Sequence, residues 1–227
     1  MKKLILISGG ADGFGKATAE KLSKKYKIVI LDLDAPKTAQ VAKRIGCDFA
    51  VADVTDYKQL DIATSSIIKK YKKIDCLINN AGLWIEGSLE TNDPARIKRV
   101  FDVNTTGTVL LTRAVLPYMK KVKRGRIINV ISQAGLTAKV ERSIYNASKW
   151  GVTGFTKSLA ADLVGSGITV TGFYPGMMKT NLFKSAGSKR EMAGAMKLPD
   201  VVRAIEFILE TPDDLAIPEL GIKPAWY

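Results

Sequence analysis

Tyr145 and Lys149 stand four apart in the stretch "YNASK", with only small or polar residues between them. On a helix, positions i and i+4 share a face, so phenol and ammonium would lie one above the other. A free phenol ionises near pH 10 and is a poor base at neutrality. A neighbouring positive charge favours the phenolate and brings that value down. Such a pair can give and take a proton near working pH. Taken alone, a tyrosine such as Tyr145 is more often a half-buried helix residue. The chain has no histidine in its 227 residues. A Ser-His-Asp triad and a histidine-held metal are therefore excluded, and no metal site is expected. Proton chemistry here has to use other groups.

A second chemical signal lies near the start. "SGGADGFG", residues 8–15, follows an apolar run and precedes a helical pattern. A glycine turn at that junction lets the backbone approach a pyrophosphate, and the helix N-terminus offers N–H donors and a positive dipole. Gly9, Gly13 and Gly15 have the spacing G-x-x-x-G-x-G. Asp32 closes the next apolar run, 17 residues after Gly15. A carboxylate there can accept hydrogen bonds from both ribose hydroxyls of an adenosine and would repel a 2′-phosphate. Asp12 adds negative charge at the same end, and Leu33, not an arginine, follows Asp32. The pattern favours NAD over NADP, with Lys16 and Lys37 as the residues that would reverse it.

The elements that must hold these residues alternate. "KLILIS", "KIVILDL", "CDFAVADV", "DCLINNAG", "RIINVIS" and "ITVTGFYPG" read as strands, and helical patterns separate them. One long helical stretch covers roughly 94–121, another 143–164, and a last helix runs from about 199 to 210 before a short strand near "LAIPELGIK". Strands that are apolar throughout are buried on both faces. Their alternation with helices predicts an α/β, doubly wound parallel sheet of the Rossmann type, helices on both faces, in a single domain over 1–227. Residues 179–197 are the least regular stretch, of the kind that forms a functional lid.

Composition agrees with a globular protein: 46% of residues are hydrophobic. The apolar run in "MKKLILISGG" is too short for a signal peptide, and no stretch reaches the length of a membrane span. Cys47 and Cys76 make no disulfide framework; as buried free thiols they suit a reducing cytoplasm. The net charge of +13 is spread over lysines at the ends of helical stretches, where they complement the helix dipole. Neither a nucleic-acid nor a membrane partner is expected.

With these motifs in order, the sequence resembles the short-chain dehydrogenase/reductase family over nearly its whole length. The resemblance is carried by "SGGADGFG", by "ADV" at 52–54, "NNAG" at 79–82, "FDVN" ending at Asn104, "NVIS" ending at Ser132, "YNASK" and "YPGMMKT" at 174–180. It implies a catalytic tetrad of Asn104, Ser132, Tyr145 and Lys149. It implies cofactor contacts from Gly9, Asp12, Gly13, Phe14, Gly15, Asp32 and Leu33. Asp53 and Val54 would meet the adenine. Asn80, Ala81 and Gly82 would line the cleft, and Pro175, Gly176, Met178 and Thr180 would hold the nicotinamide. Tyr145 would be the acid–base group and Ser132 would hold the substrate oxygen. Lys149 would also hold the nicotinamide ribose, and Asn104 would support a water path from Lys149. Ser8, Phe14 and Met178 depart from the usual residue types without removing a reacting group.

The expected activity is hydride transfer between NAD(H) and a secondary alcohol or ketone with an apolar body. Trp84, Ser132, Leu136, Tyr145, Met177, Leu182 and Phe183 are the candidate substrate contacts, with Ile85, Val140 and Tyr174 nearby and Lys184, Lys189 and Arg190 as a basic rim. The family resemblance further implies a homodimer or homotetramer through the helix carrying Trp150 and Phe155. Two other readings stay open: an NADPH-dependent ketoreductase acting on an acyl-carrier-protein thioester, and an NAD(H)-sensing protein without turnover.

Overall fold

A computed structural model describes residues 2–188 and 192–226. Lys189 and Arg190 lie outside the described residues. The chain alternates β1 (Leu4–Ser8), α1 (Gly13–Leu22), β2 (Lys27–Asp32), α2 (Ala35–Ile45), β3 (Asp48–Val51), α3 (Tyr57–Tyr71) and β4 (Cys76–Asn79). It continues with α4 (Pro94–Phe101), α5 (Gly107–Val122), β5 (Gly125–Val130), α6 (Ser143–Asp162), β6 (Ile168–Pro175), α7 (Leu182–Ser185), α8 (Leu198–Glu210) and β7 (Glu219–Ile222).

The strands form one parallel sheet in the order β3-β2-β1-β4-β5-β6-β7. Period-two alternation sends each strand's residues to opposite faces. Leu4, Leu6, Val29 and Leu31 join one core with α3, α5 and α6. Ile5, Ile7, Ile28 and Ile30 join a second core with α1, α2 and α8. Two-sided burial is why the inner strands have no polar alternation. The rule fails at the edges. In β3, Phe49 and Val51 are exposed, because an edge strand is covered on fewer sides.

Helix ends follow the charge pattern of the sequence. Asp12, Asp34, Asp56 and Asp93 cap the N-termini of α1 to α4 with side-chain hydrogen bonds. Lysines or arginines occupy the last turns of α1 to α5. Both cysteines are free, but only Cys76 is buried; Cys47 is half-buried, a correction to the expected pair. No helix among the described residues is long and apolar enough to cross a membrane.

The stretch read as one helix over 94–121 is two. A single π turn, Asp102–Thr106, separates α4 from α5, closed by the Gly107 N–H bonding back to the Asp102 carbonyl. The short α7 lies inside the irregular stretch and has no counterpart in the sequence reading.

Candidate active site

In a doubly wound sheet, the strand order reverses between β1 and β4, and loops leave in opposite directions there. A cleft of about 380 Å³ opens at this end, above the C-termini of β1, β4, β5 and β6. Its nucleotide half is built mostly from backbone. Gly9 and Gly13 have φ of +62° and +49°, which glycine adopts without strain. A Cβ on Gly15 would meet the Gly9 carbonyl at 2.2 Å, and one on Gly9 would meet Ala81 Cα at 2.9 Å. The Ser8 hydroxyl accepts from the N–H groups of Asn80 and Ala81 at 3.0 and 3.2 Å. Asn80 Nδ2 returns bonds to the Ser8 and Gly9 carbonyls. The turn after β1 and the turn after β4 are therefore one braced unit.

Three carboxylates stand on this half. Asp32 accepts from the Ala11 N–H at 3.0 Å and from the Leu33 N–H at 2.8 Å, which fixes it at the end of β2. Asp12 caps α1 at the Gly13 N–H, 2.7 Å away, and pairs with Lys37 Nζ at 2.6 Å. Burial works to raise its pKa, but hydrogen bonds from Lys37, Gly13 and Asn181 outweigh that and hold it below the usual range. Asp53 is similar: burial opposes its charge, and bonds from Thr55 and Arg99 more than offset this. A glycine cradle at a helix N-terminus, flanked by a fixed carboxylate at the second strand, fits a nicotinamide dinucleotide.

The other half holds the residues expected to react. Tyr145 and Lys149 lie in α6, one turn apart, and Lys149 Nζ is 5.8 Å from the centre of the Tyr145 ring. Lys149 is only 5% exposed and donates to the Val130 carbonyl at 3.3 Å. Burial pushes its ammonium down to about 8. Asn104 sits in the π turn. Its Oδ1 accepts from the Leu83 N–H at 2.7 Å, and its Nδ2 donates to the Leu83 carbonyl and to Ser148 Oγ, each at 3.0 Å. The side chain of Asn104 thus fixes the Gly82–Leu83 segment, which passes beside Lys149. A Cβ on Gly82 would lie 3.6 Å from Lys149 Nζ. Ser132, after β5, has φ +142°, a strained value for any residue but glycine. Its Oγ accepts from the Ala134 N–H at 3.1 Å. Strain of this kind marks a side chain whose direction is set by its surroundings.

A family model described as short chain dehydrogenase matches residues 3–191. The chain belongs to that family. It is 36% identical over 201 residues to the trans-4-hydroxycyclohexanecarboxylate dehydrogenase of Sinomonas cyclohexanicum, covering 83% of this chain and 76% of that one. Among solved structures, the 3-ketoacyl-(acyl-carrier-protein) reductase of Brucella melitensis complexed with NADH superposes with a TM-score of 0.91. The identity is 28%, over 98% of this chain and 97% of that one. ElxO with NADP bound gives 0.89 at 27% identity, over 100% and 99%. This short-chain dehydrogenase is therefore an oxidoreductase that binds a nicotinamide nucleotide.

The structure brings most of the expected residues of this short-chain dehydrogenase to one cleft. Gly9, Asp12, Gly13, Phe14, Asp32, Leu33, Asp53, Val54, Asn80, Ala81 and Gly82 line it, as do Pro175, Gly176, Met178 and Thr180. Ser132, Tyr145, Lys149, Trp84, Met177, Leu182 and Phe183 line the other half. Gly15 and Asn104 support the wall from behind. Leu136 does not line the cleft; it points outward from the short turn after Ser132 and is 37% exposed. Ile85 and Tyr174 are buried beneath the wall, and Val140 is solvent-facing. The sequence reading passed over Arg99, Arg142 and Asn181, which all line the cleft. For Arg142 a signal existed: it precedes Tyr145 by three residues, a same-face spacing on a helix.

Proposed function

We propose that the protein transfers a hydride between NAD(H) and a secondary alcohol or ketone with a largely apolar body. The observation that carries this reading is the buried Tyr145–Lys149 pair, on the wall of a cleft that Ser132 also lines and whose other half fits the nucleotide. Bound there, the nicotinamide would accept or donate the hydride. The chain's own share is the proton. In the oxidation direction, Tyr145 Oη takes it from the substrate hydroxyl as the carbonyl forms. The Ser132 hydroxyl holds that oxygen and stabilises its developing charge. Lys149 keeps a positive charge at neutral pH despite burial, and that charge favours the phenolate. Trp84 packs on Tyr145 at 4.4 Å between ring centres, and Phe183 on Trp84 at 4.6 Å. These rings supply the apolar wall and limit where the carbinol carbon can sit.

NAD is the cofactor this reading favours, because a carboxylate held at the end of β2 would repel a 2′-phosphate bound beside it. Lys16, Lys37 and the NADP-bound ElxO neighbour stand on the side of NADPH, and of these the Lys37 charge is already engaged by Asp12. The exposed Trp150 on α6 suits pairing with a second copy of the chain, and light scattering showing only monomer would remove that part. The central test is a panel of apolar secondary alcohols and ketones assayed with NAD(H). Tyr145→Phe should lower kcat about 10²–10⁴-fold while NADH binding stays unchanged. A variant that retains turnover ends the proposal.

A further inference from the structure

The charges of the cleft are divided. Among the described residues, its acidic lining is Asp12, Asp32 and Asp53, all on the nucleotide half. The substrate half is lined by aromatic and aliphatic groups and by cations, with Arg142 among them. Arg142 sits at the start of α6, three residues before Tyr145. Its guanidinium lies 5.5 Å from the Trp84 ring. It is half-buried, and its side chain has neither a carboxylate partner nor a hydrogen bond among the described residues. Most other arginines facing a neighbour here are used: Arg99 holds Asp53, and Arg126 holds the carbonyls after α8. A half-buried guanidinium parked on an aromatic face is oriented in advance, with its donors still to be satisfied.

We infer that the substrate carries a carboxylate, and that Arg142 receives it while Tyr145 handles the carbinol. The inference rests on the redox reading above and adds the substrate's charge to it. A planar fork of donors matches a carboxylate better than any neutral group. The dipole of α6 is positive at the same end and acts in the same direction. Two distances bound the interval the molecule must bridge. Arg142 is 5.5 Å from Trp84, and Trp84 is 4.4 Å from Tyr145. The guanidinium is thus no farther from the Tyr145 ring than those two spans laid end to end. A hydroxy acid or keto acid built on one ring, or on a short chain, bridges that interval. The aromatic wall of Trp84 and Phe183 would cover its apolar middle.

Binding can be tested separately from turnover. The protein–NADH complex would be titrated calorimetrically with cyclohexanecarboxylate and with cyclohexanecarboxamide, which share shape but differ in charge. The carboxylate should bind about tenfold tighter than the amide, and added salt should narrow the gap. In Arg142→Met the preference should vanish while amide affinity and NADH affinity stay as in the wild type. Arg142→Lys should restore part of it. Equal affinity for the two ligands, absence of carboxylate binding, or a preference that survives in Arg142→Met overturns the inference. The redox reading has its own measurement: turnover of 4-oxocyclohexanecarboxylate and 4-oxocyclohexanecarboxamide with NADH. Turnover of both without carboxylate preference leaves hydride transfer standing and removes the role of Arg142. Carboxylate preference with no turnover of either does the reverse.

Discussion

The two halves of the cleft are made of different material. The nucleotide half is backbone: glycines at close approach, a helix N-terminus and carboxylates held by N–H groups. The reacting half is side chain: a phenol, a buried ammonium, a strained serine and stacked rings. Backbone surfaces tolerate almost no added atom, so their failure is steric. Side-chain surfaces keep their shape when one group is replaced, so their failure is electrostatic or chemical. The same contrast separates what each half recognises. A dinucleotide is the same molecule in every turnover, and a rigid mould suits it. On the proposed function, the other half has to hold an apolar body and shift a proton at once.

The strongest way to break this contrast is Gly15→Ala. Alanine favours a helix over glycine by about 1 kcal/mol. Its Cβ would stand 2.2 Å from the Gly9 carbonyl and 2.5 Å from Asn80 Nδ2, and the first of these is backbone that cannot turn aside. The clash wins. NADH affinity should fall at least about 100-fold, and stability by about 1–3 kcal/mol, measured by titration and by urea unfolding. Unchanged affinity would mean the mould is not rigid.

Lys149→Met attacks the other half and should act with the opposite sign on stability. The lysine's pKa falls from 10.5 to about 8 because the folded chain buries its charge. Below pH 8 both folded and unfolded chains hold the proton, and the burial penalty is present in full. Between 8 and 10.5 the folded chain loses its proton first, so wild-type stability rises with pH. Above 10.5 the penalty is gone. Lys149→Met should therefore be more stable than wild type at pH 7, by up to about 3 kcal/mol, with the advantage fading as pH rises through that window. Its turnover should be lost. Urea unfolding at pH 7 and pH 10 reads both parts, and a destabilised variant at pH 7 would contradict the assigned burial cost.

Asp32→Asn should have the smallest effect, because it changes charge and leaves shape alone. NADPH affinity should improve relative to NADH by about tenfold as like-charge repulsion is removed. Competitive titration of the two reduced nucleotides measures it. No change in the ratio would move cofactor choice to the Asp12–Lys37 pair.

How far each half could be read from the sequence follows from the same difference. Gly9, Gly13, Gly15 and Asp32 announce themselves because a turn and a strand end impose local demands that few residues meet. Tyr145 and Lys149 are legible because one helical turn relates them. The parallel, doubly wound sheet, too, follows from apolar runs alternating with helical patterns, whereas its strand order came only with the structure. What escaped the sequence depends on chain segments meeting from far away. Arg99 reaches Asp53 across 46 residues, and Asn181 reaches Asp12 across 169. The π turn at Asp102–Thr106 leaves no composition signal, because its side-chain partners, Leu83 and Ser148, come from other elements. Leu136 was misplaced for the same reason: the short turn after Ser132 decides which way it faces, and nothing local predicts that.

The Asn104 amide grips both the N–H and the carbonyl of Leu83, as a neighbouring strand would. The segment that leaves β4 is thereby pinned at two points to the rod of α4 and α5, and Trp84 is the next residue along. An object wedged against Trp84 therefore pushes on a lever whose fulcrum is in the π turn. In mechanical terms, the cleft wall at Trp84 hangs from a two-point clamp, not from an unanchored loop.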